Sequence, residues 1–426
     1  VVSTLSFSQS PEQFFGMHIN NHKDFGSWPD IPFGGLRLHD SGVAWREIEV
    51  SPHKYDWTTL DRHLKRAKEH HVDVMYAFTR TPEFYAEHSQ CRQEFRNGAC
   101  EPDRCAEYGG KNRAGCFPPD DLGREGGGSD EHFKSFVSAI VDHVASLDHN
   151  EYATISSWEI WNEYDNDPFW EGTDQQLLRM SKDAYAIIKA KTPNAIVTTP
   201  NAILPRFLRI YLQQPGAAEV ADAISLHAYI PHCSPEEFIE KRLQIMHELQ
   251  GQFMPGKPIY LTEGSWAKEK NCPDLEQQAA FAARYMLLFY AGIGKMPGVD
   301  RLWWYGYDYP AGRLSDPDTG ALRPAGKAYG EMYRWLVSNT LVPHSCKADG
   351  TRWSCQLKSR DGEAMIVWDA DPGKELGGGA GAQSGSFNAP SKFSAYRMLD
   401  GSKQAASSGV PLGPKPVLLE TSKDTK

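Results

Sequence analysis

The chain reads as an α/β protein: a (β/α)8 TIM barrel followed by a small C-terminal antiparallel β-sandwich-like domain. Three observations predict this. Eight short runs rich in β-branched and aromatic residues recur between Phe14 and Tyr305, most of them separated by stretches with apolar residues at helical spacing. No G-x-G-x-x-G or P-loop turn follows an early strand, so the usual mark of a doubly wound open sheet is missing. After about Leu341 the pattern changes to short alternating segments broken by Asp-Gly turns. Residues 11–341 are therefore expected to form the barrel and 342–426 the β domain, with residues 1–10 a candidate extra strand for it.

The predicted strands run Phe14–Asn20, Gly34–Asp40, Val72–Phe78, Thr154–Trp161, Ala195–Thr199, Ala223–Tyr229, Lys257–Glu263 and Val299–Tyr305. Helical spacing appears in Leu60, Leu64, Ala67 and His71, and again in Phe133, Phe136, Val137, Ile140 and Val144. Further helices are expected over Leu177–Ala190, Pro235–Gln250, Leu275–Tyr290 and Ala325–Val337. The helix from Leu275 is apolar around much of its circumference, which predicts deep burial. In the tail, Arg352–Leu357 and Ala364–Trp368 alternate as half-buried strands do. This domain reads as a packing platform for the barrel in preference to a carbohydrate-binding module.

At 426 residues and 47.7 kDa the chain can bury one large core and a smaller one. A net charge of −10 argues against nucleic acid as a partner, and no apolar run reaches the length of a membrane span. Its eight cysteines suit an oxidising compartment and none forms a Cys-x-x-Cys pair. With a start at Val1, they point to a processed, secreted protein. Cys91, Cys100, Cys105 and Cys116 crowd one polar loop and are expected to pair among themselves. Cys346 and Cys355 flank an Asp-Gly turn, which predicts a local bridge. That leaves Cys233 and Cys272, each just past a predicted strand.

The stretch that organises the chain is Ser157-Trp158-Glu159-Ile160-Trp161-Asn162-Glu163-Tyr164. It begins as a strand and ends on an Asn-Glu pair among aromatics, where burial raises a carboxyl's pKa towards that of a general acid. A lone glutamate at a loop start is more often a satisfied acid. A second one changes the balance: Lys257-Pro258-Ile259-Tyr260-Leu261-Thr262-Glu263 is another strand closing on a glutamate. In a barrel both stand at the carboxyl ends of strands four and seven, where chemistry gathers. Two facing carboxyls are the equipment of glycoside hydrolysis.

These residues resemble clan A of the retaining glycoside hydrolases. The Phe169-Trp170-Glu171-Gly172-Thr173 run, Leu36-Arg37-Leu38-His39-Asp40-Ser41 and Trp45 are most similar to family 39, in particular its exopolysaccharide-cleaving members. The likeness covers about residues 14–340. Many members carry Pro after the acid/base glutamate where this chain has Tyr164, so the aglycone-side loop is expected to differ. The resemblance implies Glu163 as acid/base, Glu263 as nucleophile, and Asn162 on the substrate's 2-hydroxyl, with turn capping its alternative role. It implies Arg37 and Tyr229 beside the nucleophile, although Arg37 could instead pair with Glu159. His227 lines the sugar or is a satisfied barrel histidine. Trp303 or Trp304 supplies a stacking floor, since adjacent strand residues face opposite ways. His39, Asp40 and Trp266 are further subsite candidates.

The expected function is that of a secreted retaining glycosidase acting on a polysaccharide or oligosaccharide. The alternatives are a related exo-glycosidase of the xylosidase, arabinofuranosidase or iduronidase type, and a non-catalytic carbohydrate-binding barrel. No cofactor is required, and no His/Asp cluster has metal-ligand spacing.

Overall fold

The computed structural model describes residues 10–20, 28–87, 115–166, 168–370 and 385–421. Its barrel strands are β1 (Phe15–Met17), β2 (Gly35–Leu38), β3 (Asp73–Ala77), β4 (Ile155–Glu159), β5 (Ile196–Thr198), β6 (Ile224–His227), β7 (Ile259–Gly264) and β8 (Arg301–Trp304). Neighbours pair in parallel from β1 to β5 and from β6 through β8 back to β1. A parallel bridge between Thr198 and Ala223 closes the ring. All eight predicted strands therefore exist, each shorter than its apolar run, because only the paired centre counts as strand.

Seven helices of two turns or more surround the ring among the described residues, besides the single turns Pro11–Phe14 and Trp45–Ile48: α1 (Thr58–Glu69), α2 (Glu131–Ser146), α3 (Asp174–Lys191), α4 (Pro205–Leu212), α5 (Glu236–Phe253), α6 (Leu275–Ala291) and α7 (Pro324–Ser338). No helix is described between β1 and β2. Helix α3 starts a turn before its apolar pattern because Thr173 and Gln176 form a capping box. The two-turn α4 and the hairpin Glu49–Ser51 with Lys54–Tyr55 are too short to show a period, and composition did not announce them. Almost all of α6 is buried. The β domain supplies part of its cover, with Lys415 Nζ donating to Glu276 at its first turn.

The tail forms a seven-stranded antiparallel sheet centred on the hairpin Arg352–Ser359/Gly362–Asp369, with a ribbon of Gly385–Phe387 and Val410–Leu412 beside it. Leu357, Ile366, Trp368 and Leu418 belong to the same apolar cluster as the barrel. Trp368 Nε1 also donates to Glu236 Oε1 (3.0 Å), which in turn accepts from Arg284 Nη1 (3.0 Å). Of the candidate extra strand, residues 1–10, all but Ser10 lie outside the described residues, and Ser10 precedes the helical turn Pro11–Phe14. Two disulfides join cysteines that both lie among the described residues, Cys346–Cys355 and Cys233–Cys272. Cys116 is also disulfide-bonded, while Cys91, Cys100 and Cys105 lie outside the described residues. No described helix is long and apolar enough to cross a membrane.

Inside the barrel, residues alternate between the helices and the lumen. Met75, Ile196, Ala223, Tyr260 and Trp303 pack as an apolar floor. Trp303 leans on β1 so closely that a Cβ on Gly16 would stand 2.4 Å from its ring, so only glycine fits there. Above this floor the lumen turns polar at Arg37, Glu159, Ser225 and Thr262.

One strained acid away from the lumen makes a stability prediction. Asp130, just before α2, is fully buried with φ +51°, and its carboxyl faces that of Asp183. Burial first, then Asp183 and Asp121, push its pKa up to about 9, with Arg179 opposing. A raised pKa means the folded state holds a proton that the unfolded chain releases near pH 4. Stability is therefore complete below that value and declines as pH rises towards 9. Asp130→Asn needs no proton, tolerates left-handed φ and can donate to Asp183. It is expected to stabilise the protein at pH 8 by on the order of 1–3 kcal/mol, with the gain vanishing near pH 4. Chemical unfolding at both pH values checks this; an equal effect at each would mean that Asp130 is not protonated in the fold.

Candidate active site

Four residues past β4, the backbone of Glu163 adopts φ +42°, a left-handed conformation that a glutamate rarely takes. Such a conformation persists where its surroundings over-determine it. Here Asn201, just after β5, does so: its Oδ1 accepts from Glu163 N (2.7 Å), its carbonyl from Tyr164 N (3.2 Å), and its own N–H donates to the Trp161 carbonyl (3.1 Å). Asp165 adds two bonds from Ile203 N and Leu204 N, both 2.9 Å. The β4 loop is thus zipped to the β5 loop and turns the Glu163 side chain into the barrel mouth. Its neighbours Trp158 and Trp161 do not line that mouth. Trp158 stacks on Phe78, and Trp161 donates to the Phe169 carbonyl (2.8 Å), both fully within the core.

Glu263 arrives by a different device. Tyr260 and Thr262 face the lumen, so simple alternation would send Glu263 outward to the helices. Against β6, Leu226 and His227 pair with Leu261 and Glu263, and against β8, Leu302 and Trp304 pair with Leu261 and Gly264. One extra residue in β7 is a β-bulge, and it re-aims Glu263 inward.

The two acids then meet. Glu163, Glu263 and the His227 ring each place a ligand atom within 4.8 Å of the others. His227 Nδ1 lies 2.9 Å from Glu163 Oε1 and 3.5 Å from Glu263 Oε2. Burial pushes its pKa down to about 4, so the ring is neutral near pH 7 and, as the Nδ1–H tautomer, donates to Glu163.

Arg37, from β2, organises the floor of the site. It is fully buried and donates to Glu159 Oε2 through Nε (2.9 Å) and Nη2, to Glu263 Oε1 (2.6 Å), and to Asn162 Oδ1 (2.8 Å). The two partners considered for Arg37 are therefore both engaged by one guanidinium. Burial alone would lower its pKa, but the two carboxylates raise it instead. Burial would likewise raise Glu159, yet Arg37 holds it below the ordinary carboxylate value. Tyr229 donates its hydroxyl to Glu263 Oε2 (2.6 Å), completing a grip on both oxygens of that acid. Glu163 differs: burial raises its pKa, partly opposed by Asn166 Nδ2, which donates to Oε2 at 2.9 Å.

Asn162 is oriented by Arg37 and by Asn201 Nδ2 (3.4 Å), both on its Oδ1. Its Nδ2 is buried without a partner among the described residues, a donor held ready at the mouth. His39 places Nδ1 3.2 Å from Asp40 Oδ1 and 3.9 Å from Glu263 Oε1, and its Nε2 has no hydrogen-bond partner among the described residues.

Three tryptophan expectations are corrected. Trp303 faces inward but is sealed in the apolar floor, and Trp304 packs outward against Trp266, Phe281 and Tyr285. Trp266 is fully buried in that outer cluster. None can stack on a sugar, because each spends its ring faces on core contacts. The aromatic that β8 presents to the mouth is Tyr305, whose hydroxyl donates to Asp40 Oδ2 (2.7 Å) and accepts from Asn20 Nδ2 (2.9 Å). It shares the parity of Trp303 and was legible as the next inward position. His18, which reaches the Thr262 carbonyl (3.0 Å) and Arg37, and Asn20 follow β1 at alternate positions and were missed with it. Asn166 and Asn201 carried no motif.

Although the sequence has no metal-ligand spacing, the fold assembles two groups among the described residues with the geometry to hold an ion: Glu163–His227–Glu263, and Asp120–Asp121–His132 at the surface.

No protein-family model matches the chain, and no curated protein does. Solved structures do. A family 30 glycoside hydrolase endoxylanase from Clostridium papyrosolvens C71 aligns with a TM-score of 0.59 at 12% identity, over 96% of this chain and 95% of that one. A glucosidase from Croceicoccus marinus gives 0.56 at 12% identity, over 95% and 82%. A family 51 arabinofuranosidase from Xanthomonas axonopodis pv. citri gives 0.51 at 12%, over 97% of each. At such identities the likeness is one of architecture: this chain has the (β/α)8 barrel and appended β domain of these glycoside hydrolases.

Proposed function

We propose that the protein is a retaining glycoside hydrolase acting on a polysaccharide or oligosaccharide, with residues 11–341 as its catalytic domain. The observation that carries this is the approach of one carboxyl oxygen of Glu163 to within 4.8 Å of one of Glu263 at the barrel mouth. That proximity favours the short carboxyl separation of direct attack on an anomeric carbon over the wider gap an inverting enzyme keeps for its water. Glu263, gripped by Arg37 and Tyr229, attacks C1 as the carboxylate. Glu163, raised by burial, gives its proton to the departing oxygen as the C1–O bond breaks. Water then attacks C1, Glu163 takes its proton, and the Glu263–C1 ester bond breaks. Esterification removes the charge on Glu263, which lowers the pKa of Glu163 for this second role. The Asn162 Nδ2 donor is placed for a hydroxyl of the bound sugar.

The finer assignment to clan A rests on the Trp158–Glu163 and Leu261–Glu263 motifs, and that to family 39 on Phe169–Thr173, Leu36–Ser41 and Trp45. A xylanase, a glucosidase and an arabinofuranosidase among the structural neighbours support a glycoside as substrate. The two disulfides support an oxidising, extracellular setting.

A panel of polysaccharides and aryl glycosides, followed by NMR of the first-formed anomer, tests the reading. Retention is expected; an inverted first product would remove Glu263 as nucleophile. Long fragments appearing first would identify internal cleavage, and monosaccharide from the start would identify release from chain ends.

The basic limb of the pH–rate profile should belong to Glu163. Asn166 stabilises its charged form, so Asn166→Ala is expected to move the basic limb of kcat/KM to higher pH. A limb that stays in place or moves to lower pH would assign it to another group.

A further inference from the structure

Arg80 lies two residues beyond the last predicted position of strand three, and it is unusual in three ways. Its backbone sits at φ +61°, left-handed for a bulky side chain. It is only 9% exposed. Among the described residues, no carboxylate comes within the 4.0 Å of an ion pair and no side chain or carbonyl accepts from its guanidinium. The residue as a whole is enclosed, yet none of its guanidinium nitrogens is among the fully buried polar atoms without a partner, so the fork keeps access to solvent and to a ligand. The Arg80 carbonyl accepts from Arg46 N (3.1 Å), while Thr79 O and Thr81 N are bonded to Trp45 N and Gly115 O. These bonds hold the strained backbone from both sides.

The side chain lies against the site. Its Cζ stands 5.0 Å above the Phe169 ring, that ring is 5.6 Å from His39, and His39 Nδ1 is 3.9 Å from Glu263 Oε1. Asp40 feels the Arg80 charge, but its oxygens are engaged by Tyr305 and lie beside His39. A second guanidinium packs alongside: a Cβ on Gly115 would meet Arg46 Nη1 at 3.0 Å and Arg80 Cβ at 3.4 Å, so glycine makes room for the pair. Two adjacent arginines repel each other, and they sit together in a chain of net charge −10 that would otherwise turn polyanions away.

Resting on the glycosidase reading, we infer that Arg80 is a specificity-determining residue that receives the carboxylate of an acidic sugar, so that the substrate is a uronate-bearing polysaccharide. Arginine's planar fork suits a carboxylate, and Phe169 fixes the plane of that fork. Phe169 also carries the contact on to His39, which sets the anionic group beside the sugar undergoing cleavage.

Binding of alginate, polygalacturonate, hyaluronan and glucuronoxylan, each beside its carboxyl-reduced neutral form, tests this on the Glu263→Gln protein by calorimetry or affinity electrophoresis. At least one acidic polymer should bind tenfold or more tightly than its reduced counterpart. That gap should narrow with added salt. Arg80→Gln in the same background should bring the acidic form down to the neutral one, and Arg80→Lys should leave an intermediate gap. If the Gln variant does not fold, the Lys variant reads the same effect. No preference for any acidic form, or a preference that survives Arg80→Gln or is undiminished in Arg80→Lys, overturns the assignment. A native protein that cleaves nothing while Glu263→Gln keeps the preference would refute hydrolysis and leave the carboxylate site standing.

Discussion

Glu263→Ala is expected to lose on the order of 10^5-fold or more in kcat, because nothing else in the mouth can form the covalent intermediate. Glu163→Ala is expected to lose about 10²–10⁴-fold, and less on an aryl glycoside whose leaving group needs no proton. Azide separates the two roles. In Glu163→Ala the intermediate still forms, and azide attacking it from the open face should give a glycosyl azide of retained configuration. In Glu263→Ala azide occupies the nucleophile's own place and should give the inverted product. The reverse pattern would exchange the roles, and unchanged hydrolysis in both variants would sink the catalytic assignment. The two acids differ in their surroundings in the way these roles require. Glu263 has Arg37 on one oxygen and Tyr229 on the other. Glu163 has the neutral His227 ring and an asparagine, and burial raises its pKa.

Arg37→Met should be the most damaging substitution for the fold as well as the site. One cation serves Glu159, Glu263 and Asn162, all within the lumen. Removing it leaves two buried carboxylates facing each other, at a cost of about 3–5 kcal/mol. The loss should depend on pH in a definite direction. With Arg37 present, Glu159 is held below its ordinary value, so its contribution persists down to acid pH and is lost as pH falls through that depressed value. Without Arg37, burial governs and Glu159 is raised. The deficit of the variant is then largest at alkaline pH and shrinks as Glu159 takes up a proton. Adding Glu159→Gln should recover much of the stability and little of the activity, since Glu263 would still lack its cation. Urea unfolding at pH 5 and pH 8, with kcat/KM on an aryl glycoside, reads both. Recovery of activity together with stability would mean that Arg37 serves only Glu159.

Much of this was written along the chain. The eight apolar runs became the eight strands, and the two strand-ending glutamates stand side by side at the carboxyl ends of the strands, because strand pattern and turn punctuation are local properties. Cys346–Cys355 followed from its turn in the same way. The misreadings came where neighbours decide. Trp303 and Trp304 looked like a sugar platform, and which faces of a ring are free depends on Gly16, Tyr260 and Phe281 from distant segments. Asn201 carries no motif, yet it holds the strained backbone of Glu163 in place.

What the sequence determined by itself is the barrel and its closing β domain, and it singled out the two glutamates proposed as the catalytic pair, because each is announced by periodicity or by a short contiguous motif. What only the tertiary structure decided is aim. The extra residue in β7 turns Glu263 into the lumen against its alternation. One guanidinium is shared between two glutamates, and Arg80 is held unpaired beside Phe169. These depend on register and on contacts between residues far apart in the chain, which no local pattern encodes.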